Sequence, residues 1–252
     1  VVDNKSEYTD CFFTYSAPPD VGVGARVTVP FAGRKKPVDA YVVEVDVQPE
    51  FDVSKIKEIT EYIPERSLNE EMIQTAIWMR KRYGVKYIDA IKMFTVNGKI
   101  IRHPSHASSD AQLPSYELSE DQKRTASRIT EAMKQCEFKT FLIKGVTNSG
   151  KTEVYMKAVE EALNQGRTAI VLLPEIALSH QTEERFRKRF GAENIATLHS
   201  KLSTSKKLSE WARIRSGEAR IVVGARTPVF APLENIGAII IDEEHESTYN
   251  SD

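Results

Sequence analysis

The sequence predicts an α/β fold in two parts, a small β-rich N-terminal domain followed by a larger domain built on a parallel sheet. Three observations predict it. Short β-branched and aromatic runs bounded by Pro and Gly occupy residues 11–63. Apolar runs of strand length alternate with helical periodicity from residue 119 onward. Between them, His103-Pro104-Ser105-His106-Ala107-Ser108-Ser109-Asp110 is polar and aperiodic, as a linker is.

Taken in order, strands are expected at 11–15, 25–31, 38–47 and 56–63, with Pro18-Pro19, Gly22, Gly24 and Gly33 at the bends. Ser67-Leu68-Asn69-Glu70 reads as a capping box, and Leu68, Met72, Ala76, Met79 and Tyr83 then share one helical face. A shorter helix is expected over 87–94. This places a first domain at 1–96, a linker at 97–116 and a second domain at 117–252.

The second domain opens on another capping box, Ser119-Glu120-Asp121-Gln122, starting a helix that runs through 133. Strands follow at 140–144, 168–173, 195–198, 220–223 and 238–241, with helices to 163 and over 175–190 and 205–216. Strand and helix in turn make a parallel sheet, whose ligand site lies at the carboxyl ends of the strands.

The chain has 252 residues, 40% of them hydrophobic, enough for one large or two ordinary domains. No apolar run approaches the ~20 residues needed to cross a bilayer, and no charged-then-apolar leader opens the chain, so the expected location is cytoplasmic. Cys11 and Cys136 stand alone, without metal-ligand spacing, and no zinc site is assigned. Residues 1–100 carry 14 basic and 15 acidic side chains and the remainder 21 of each, so the net charge of -1 is evenly spread. Nucleic-acid binding would therefore need a local groove rather than bulk charge.

The segment Gly145-Val146-Thr147-Asn148-Ser149-Gly150-Lys151-Thr152 fills every fixed position of G-x-x-x-x-G-K-[ST], between an apolar run and a helix-like stretch. Such a loop cradles phosphate, because glycines let the backbone fold around the anion and the next helix aims unpaired N–H groups at it. Lys151 is expected to reach β- and γ-phosphates and Thr152 a magnesium ion. Further along, the apolar strand Ala238-Ile239-Ile240-Ile241 delivers Asp242 and Glu243 to its C-terminal end. There an Asp holds magnesium and a following Glu orients or deprotonates the attacking water.

Five blocks together go further. They are Gly145 through Thr152 with Glu153-Val154-Tyr155, Leu173-Pro174-Glu175-Ile176-Ala177-Leu178, Leu198-His199-Ser200, Gly224-Ala225-Arg226-Thr227-Pro228-Val229-Phe230, and Asp242-Glu243-Glu244-His245. In order and spacing they closely resemble the PriA family of replication-restart helicases, also called primosomal protein N′. Phe13-Thr14-Tyr15, the run Gly24 to Phe31 and the strand 41–45 resemble that family's DNA 3′-end-binding domain.

The resemblance implies a RecA-like P-loop parallel-sheet helicase lobe behind the β-rich domain. It also implies a superfamily-2 DNA helicase of 3′-to-5′ polarity that uses ATP and magnesium at stalled forks. Implied partners are forked and single-stranded DNA, DNA 3′ ends, proteins of replication restart and helicase loading, and single-stranded-DNA-binding protein. Lys151 and Thr152 match the nucleotide motif, Asp242 and Glu243 the metal and water pair, and Glu244 and His245 the elements coupling hydrolysis to DNA.

By the same resemblance, Pro174, Arg226 and Thr227 fall where such motors touch single-stranded DNA, and Lys57 matches a basic position of the end-binding domain. Gln122 has two readings, an adenine-side contact or simply the capping-box partner of Ser119. Phe13 and Tyr15 also have two: stacking an unpaired terminal base, or filling the core from one face of a strand. His199 is a coupling residue or a half-buried histidine, and Arg185-Arg187-Lys188-Arg189 a solvated helix face rather than a DNA site.

Thr14 stands where the family commonly has Asp, and Asn148 where it has Gly. Where the family has a winged-helix domain, 97–116 supplies only a linker here; of its aromatic-rich loop after the acids only Tyr249 remains, and its second lobe with zinc-binding cysteines and an arginine finger is missing from this sequence. A fragment or truncated variant is expected, in keeping with Val1 at the start. Two other functions share parts of the pattern: a DNA 3′-end-binding module without catalysis, and a P-loop transferase acting on a small molecule.

Overall fold

Alternation along Arg26-Val27-Thr28-Val29 buries Val27 and Val29 together and makes this run the centre of the first sheet. In the computed structural model, which describes residues 1–4, 6–49, 52–96, 117–146, 149–175, 177 and 180–249, the chain divides into two units, Val1–Val96 and Asn97–Asp252. In the first, β1 (Arg26–Val29) pairs antiparallel with β2 (Val38–Tyr41) and β3 (Glu61–Tyr62), in the order β2-β1-β3. Val2, Val21, Phe31 and Ala40 complete its core. Helices α1 (Glu70–Tyr83) and α2 (Tyr87–Met93) pack on each other.

Three expectations for this unit are corrected. Residues 11–15 form no strand; the neighbouring Ser16 makes an isolated parallel bridge to Glu58 instead. The runs at 38–47 and 56–63 shorten to β2 and β3, and Asp46 turns the chain at φ 57°. The cap of α1 is Asn69, whose Oδ1 accepts from the Met72 N–H at 2.9 Å. Ser67 is drawn off by tertiary structure, accepting from the Arg26 N–H and donating to the Ile63 carbonyl.

In the second unit, alternation again sorts the strands. Helix α3 (Glu120–Lys134) carries the complete capping box, with Ser119 and Gln122 bonded reciprocally. It is followed by α4 (Lys151–Asn164), β4 (Thr168–Leu172), α5 (His180–Phe190), β5 (Ile195–Leu198), α6 (Thr204–Arg215), β6 (Ile221–Gly224) and β7 (Ile236–Ile241). The four strands are all parallel, in the order β5-β6-β4-β7. Ala169 and Val171 face Tyr155, Met156, Val159 and Phe186 of α4 and α5, whereas Ile170 and Leu172 face Ile214 of α6. This is the two-faced burial expected of a parallel sheet, and it gives the α/β, RecA-like arrangement with the β-rich unit before it.

The run at 140–144 is not a strand. Phe141 and Ile143 nevertheless pack, with Ala238 and Ile240, against α3 and α4, while Leu142 is exposed. Alternation thus located the buried side of this segment without ladder pairing. Helix α5 is described from His180, and of the earlier residues expected in it Glu175 and Ala177 are in turns.

Candidate functional site

The helix after the phosphate loop is capped by a residue whose backbone conformation favours glycine. Gly150 caps α4 at φ 78°, and a Cβ there would lie 2.3 Å from Gln122 Nε2. Gln122 is held on both sides: Oε1 accepts from the Ser119 N–H at 2.9 Å, and Nε2 donates to the Ser149 carbonyl at 2.8 Å. The head of α3 is thereby tied to the loop. Lys151 Nζ donates to the Gly145 and Val146 carbonyls at 2.8 and 3.2 Å, which curls the ammonium back over the loop. Thr147 and Asn148, both expected to cradle phosphate, lie outside the described residues.

The acids arrive on β7, next to β4. The Asp242 N–H extends the ladder to the Leu172 carbonyl at 2.9 Å, and the Tyr249 hydroxyl donates to the Asp242 carbonyl at 2.8 Å. Tyr155, one turn into α4 and three residues after Thr152 on the same side of the helix, donates to Asp242 Oδ2 at 3.3 Å. Burial, reinforced by the Asp242 charge, pushes the Tyr155 hydroxyl well above the usual tyrosine range, so it stays protonated. The phenol thus ties the first turns of α4, where Thr152 sits, to Asp242. The hard oxygen donors of Thr152 and Asp242 suit magnesium, which usually takes only one or two protein ligands beside phosphate and water.

Glu243 follows in the left-handed region at φ 48°, with its N–H on Asp242 Oδ1 at 3.1 Å. Its carbonyl accepts from the Glu246 N–H, closing a turn on which Glu244 and His245 are exposed. Backbone strain of this kind often accompanies a functional side chain.

The remaining strand ends lie along the same sheet edge. Gly224 ends β6 where a Cβ would come within 1.8 Å of the Leu198 carbonyl of β5, and Arg226 follows, exposed, before the helical turn Thr227–Phe230. Pro174, beyond β4, is buried, and its carbonyl accepts from the Ala177 N–H at 2.9 Å, so it shapes its loop rather than presenting a side chain. His199, beyond β5, is half-buried, and burial lowers its pKa against the pull of Glu183. The basic cluster of α5 is paired with acids of its own lobe: Arg185 with Glu153, Arg187 with Glu183, Lys188 with Glu184 and Arg189 with Glu160.

In the first unit, Phe13, Thr14 and Tyr15 line a cleft of about 450 Å³ together with Phe31, Lys55 and Lys57. Phe13 meets Phe31 edge to face, with centroids 5.1 Å apart, and the Tyr15 hydroxyl donates to the Pro30 carbonyl at 3.2 Å. Aromatic faces beside two ammonium groups suit a nucleobase and its phosphate. Lys55 and Phe31 were not singled out from sequence; the Lys-x-Lys spacing, which puts two cations on one side of an extended chain, was the available signal.

The fold and these sites define a P-loop nucleotide-binding lobe behind a small unit with an aromatic, cationic cleft. The family model of the DEAD/DEAH box helicases matches residues 119–252, and that of the 3′DNA-binding domain (3′BD) matches residues 1–95. The chain belongs to the DEAD/DEAH box helicases, which sets aside the small-molecule transferase. It is 36% identical over 91% of its length to the replication restart protein PriA of Treponema pallidum, and 34% identical over 92% to that of Rickettsia felis, covering 35% of each. Identity to Bacillus subtilis PriA reaches 50% over 54% of this chain and 17% of that protein. The chain therefore spans about a third or less of the length of these relatives. Among the described residues, no helix is long and apolar enough to cross a membrane.

Proposed function

We propose that the chain is the 3′-end-binding and first motor portion of an ATP-dependent DNA helicase of replication restart, acting with 3′-to-5′ polarity at forks. The observation that carries this reading is the presence in one chain of a 3′BD-type cleft of rings and cations and a DEAD/DEAH lobe in which Tyr155 joins the helix after the phosphate loop to Asp242.

In this reading residues 145–150 wrap the phosphates, and Lys151 turns from the Gly145 and Val146 carbonyls to the β- and γ-phosphate oxygens. Thr152 and Asp242 hold magnesium, which when bound would offset the charge of those oxygens. Glu243 orients the attacking water and takes its proton. Gln122 keeps one amide hydrogen for the adenine edge. Glu244 and His245 pass the state of the nucleotide to DNA held by Arg226, Thr227 and the Pro174 loop through phosphate contacts. Full turnover belongs to the full-length protein, where a second lobe would add an arginine; such a finger is worth about 10³–10⁵ in rate in P-loop GTPases.

In the front unit, Phe13 and Tyr15 hold the terminal base, and Lys55 and Lys57 the adjoining phosphate. Proteins of replication restart and helicase loading, and single-stranded-DNA-binding protein, are the proposed partners. Fork DNA ending in a 3′-hydroxyl is expected to bind more tightly than the same fork ending in a 3′-phosphate, and Phe13→Ala and Lys57→Ala to erase the difference. Equal affinity of the unaltered chain for both ends would contradict end recognition.

A further inference from the structure

Beyond the cleft, aromatic rings continue across the first unit. Phe12, at the cleft's rim and half-exposed, lies 4.9 Å from Tyr87 between ring centroids. The Arg80 guanidinium sits 5.5 Å over the Tyr87 ring, held there by Asp10 at 3.1 Å and by the Gly84 carbonyl at 3.2 Å. Toward the C-terminal end of α1, Trp78 and Tyr83 meet edge to face at 5.6 Å while remaining 54% and 63% exposed. Lys81 and Arg82, both exposed, fall three and four residues after Trp78 and so share its side of the helix.

Exposed rings interleaved with cations are what a single strand needs, bases stacking on the rings while the backbone meets the charges. An apolar protein partner would not call for Lys81 and Arg82 beside the rings. We infer that the exposed rings of Phe12, Trp78 and Tyr83, with Lys81 and Arg82 beside them and the Arg80-covered Tyr87 between, form a track that binds the single-stranded DNA adjoining the 3′ end held in the cleft. The inference rests on the proposed 3′-end reading, since Phe12 lines that cleft and meets Tyr87 beyond it.

The full chain is titrated with 3′-hydroxyl oligothymidylates of about three and about ten nucleotides, lengths chosen to fill the cleft alone or the cleft and track. The longer strand is expected to bind at least about tenfold more tightly. Trp78→Ala with Tyr83→Ala should remove that gain and leave the short strand unaffected, and Lys81→Glu with Arg82→Glu should remove it while flattening the salt dependence. In a Trp211→Phe chain, whose remaining tryptophan is Trp78, emission should be quenched by the long strand alone.

An unchanged length dependence in the Trp78/Tyr83 variant, with its fold verified by circular dichroism, overturns the track. So does an unaltered chain with no length dependence, which would leave the surface to a protein partner. Failure of end recognition is read separately, as equal binding of 3′-hydroxyl and 3′-phosphate strands, and does not affect the length comparison.

Discussion

Tyr155 donates its hydroxyl proton to Asp242 Oδ2 at 3.3 Å, joining the helix that follows the phosphate loop to the strand that carries the acids. Its ring stacks on Phe186 with centroids 6.4 Å apart, and that packing survives loss of the hydroxyl. Tyr155→Phe should cost about 1 kcal/mol of stability and leave Asp242 less firmly aimed. In the full-length protein, the magnesium concentration for half-maximal ATP hydrolysis should rise severalfold, with kcat at saturating magnesium little changed. An unaltered magnesium requirement would reduce Tyr155 to a packing residue.

Gly150→Ala meets two obstacles, the left-handed φ of 78° and the Gln122 amide 2.3 Å from the new Cβ. The conformational part alone costs about 1–2 kcal/mol. Thermal denaturation should show a larger loss for Gly150→Ala, partly recovered on adding Gln122→Ala. Nucleotide binding should not recover with it, because the tie from α3 to the Ser149 carbonyl is then gone.

Glu243 holds φ at 48°, a left-handed backbone that costs a residue with a Cβ. Glu243→Gly should relieve about 1 kcal/mol of strain and raise the melting temperature. Binding of ATP should persist, while hydrolysis by the full-length protein should fall at least about a hundredfold, as for loss of a general base. A variant that melts lower would show that the turn imposes no strain.

Glu183 supplies a pH test. Burial works to raise its pKa, but hydrogen bonds from Arg187 and Thr197 and the charges of Arg187 and Lys206 outweigh it, so the carboxyl titrates below the ordinary 4.5. A depressed folded-state pKa contributes stability above the unfolded value that is lost as pH falls through the folded one. Glu183→Gln should therefore destabilise the protein at pH 7, and its melting temperature should converge on that of the unaltered protein as the pH drops below about 4.5. A gap constant with pH would mean that the Glu183 charge contributes nothing.

The parts of this molecule legible in its sequence are those where spacing alone dictates geometry. Gly150, Lys151 and Thr152 are bound to one helix start, and Ser119 and Gln122 to another. Alternation along Ala169 to Leu172 likewise sorts the two faces of the sheet. Period-two patterning reports which side is buried, not whether a ladder forms, which is why 140–144 reads as a strand. Competition among polar groups is equally silent: Ser67 and Asn69 are both good caps, and Ser67 is captured by Arg26, 41 residues away. Lys55 escaped notice because its role depends on a cleft that only the fold assembles, from Phe13, Phe31 and Lys57.

The most direct test of the motor assignment is ATP hydrolysis by the full-length protein with and without forked DNA, comparing the unaltered chain with Lys151→Ala. Hydrolysis stimulated by the fork and lost in Lys151→Ala, with binding of 3′-hydroxyl DNA retained, is the result expected. Normal fork-stimulated hydrolysis by Lys151→Ala would contradict the assignment of residues 145–152 as the phosphate cradle.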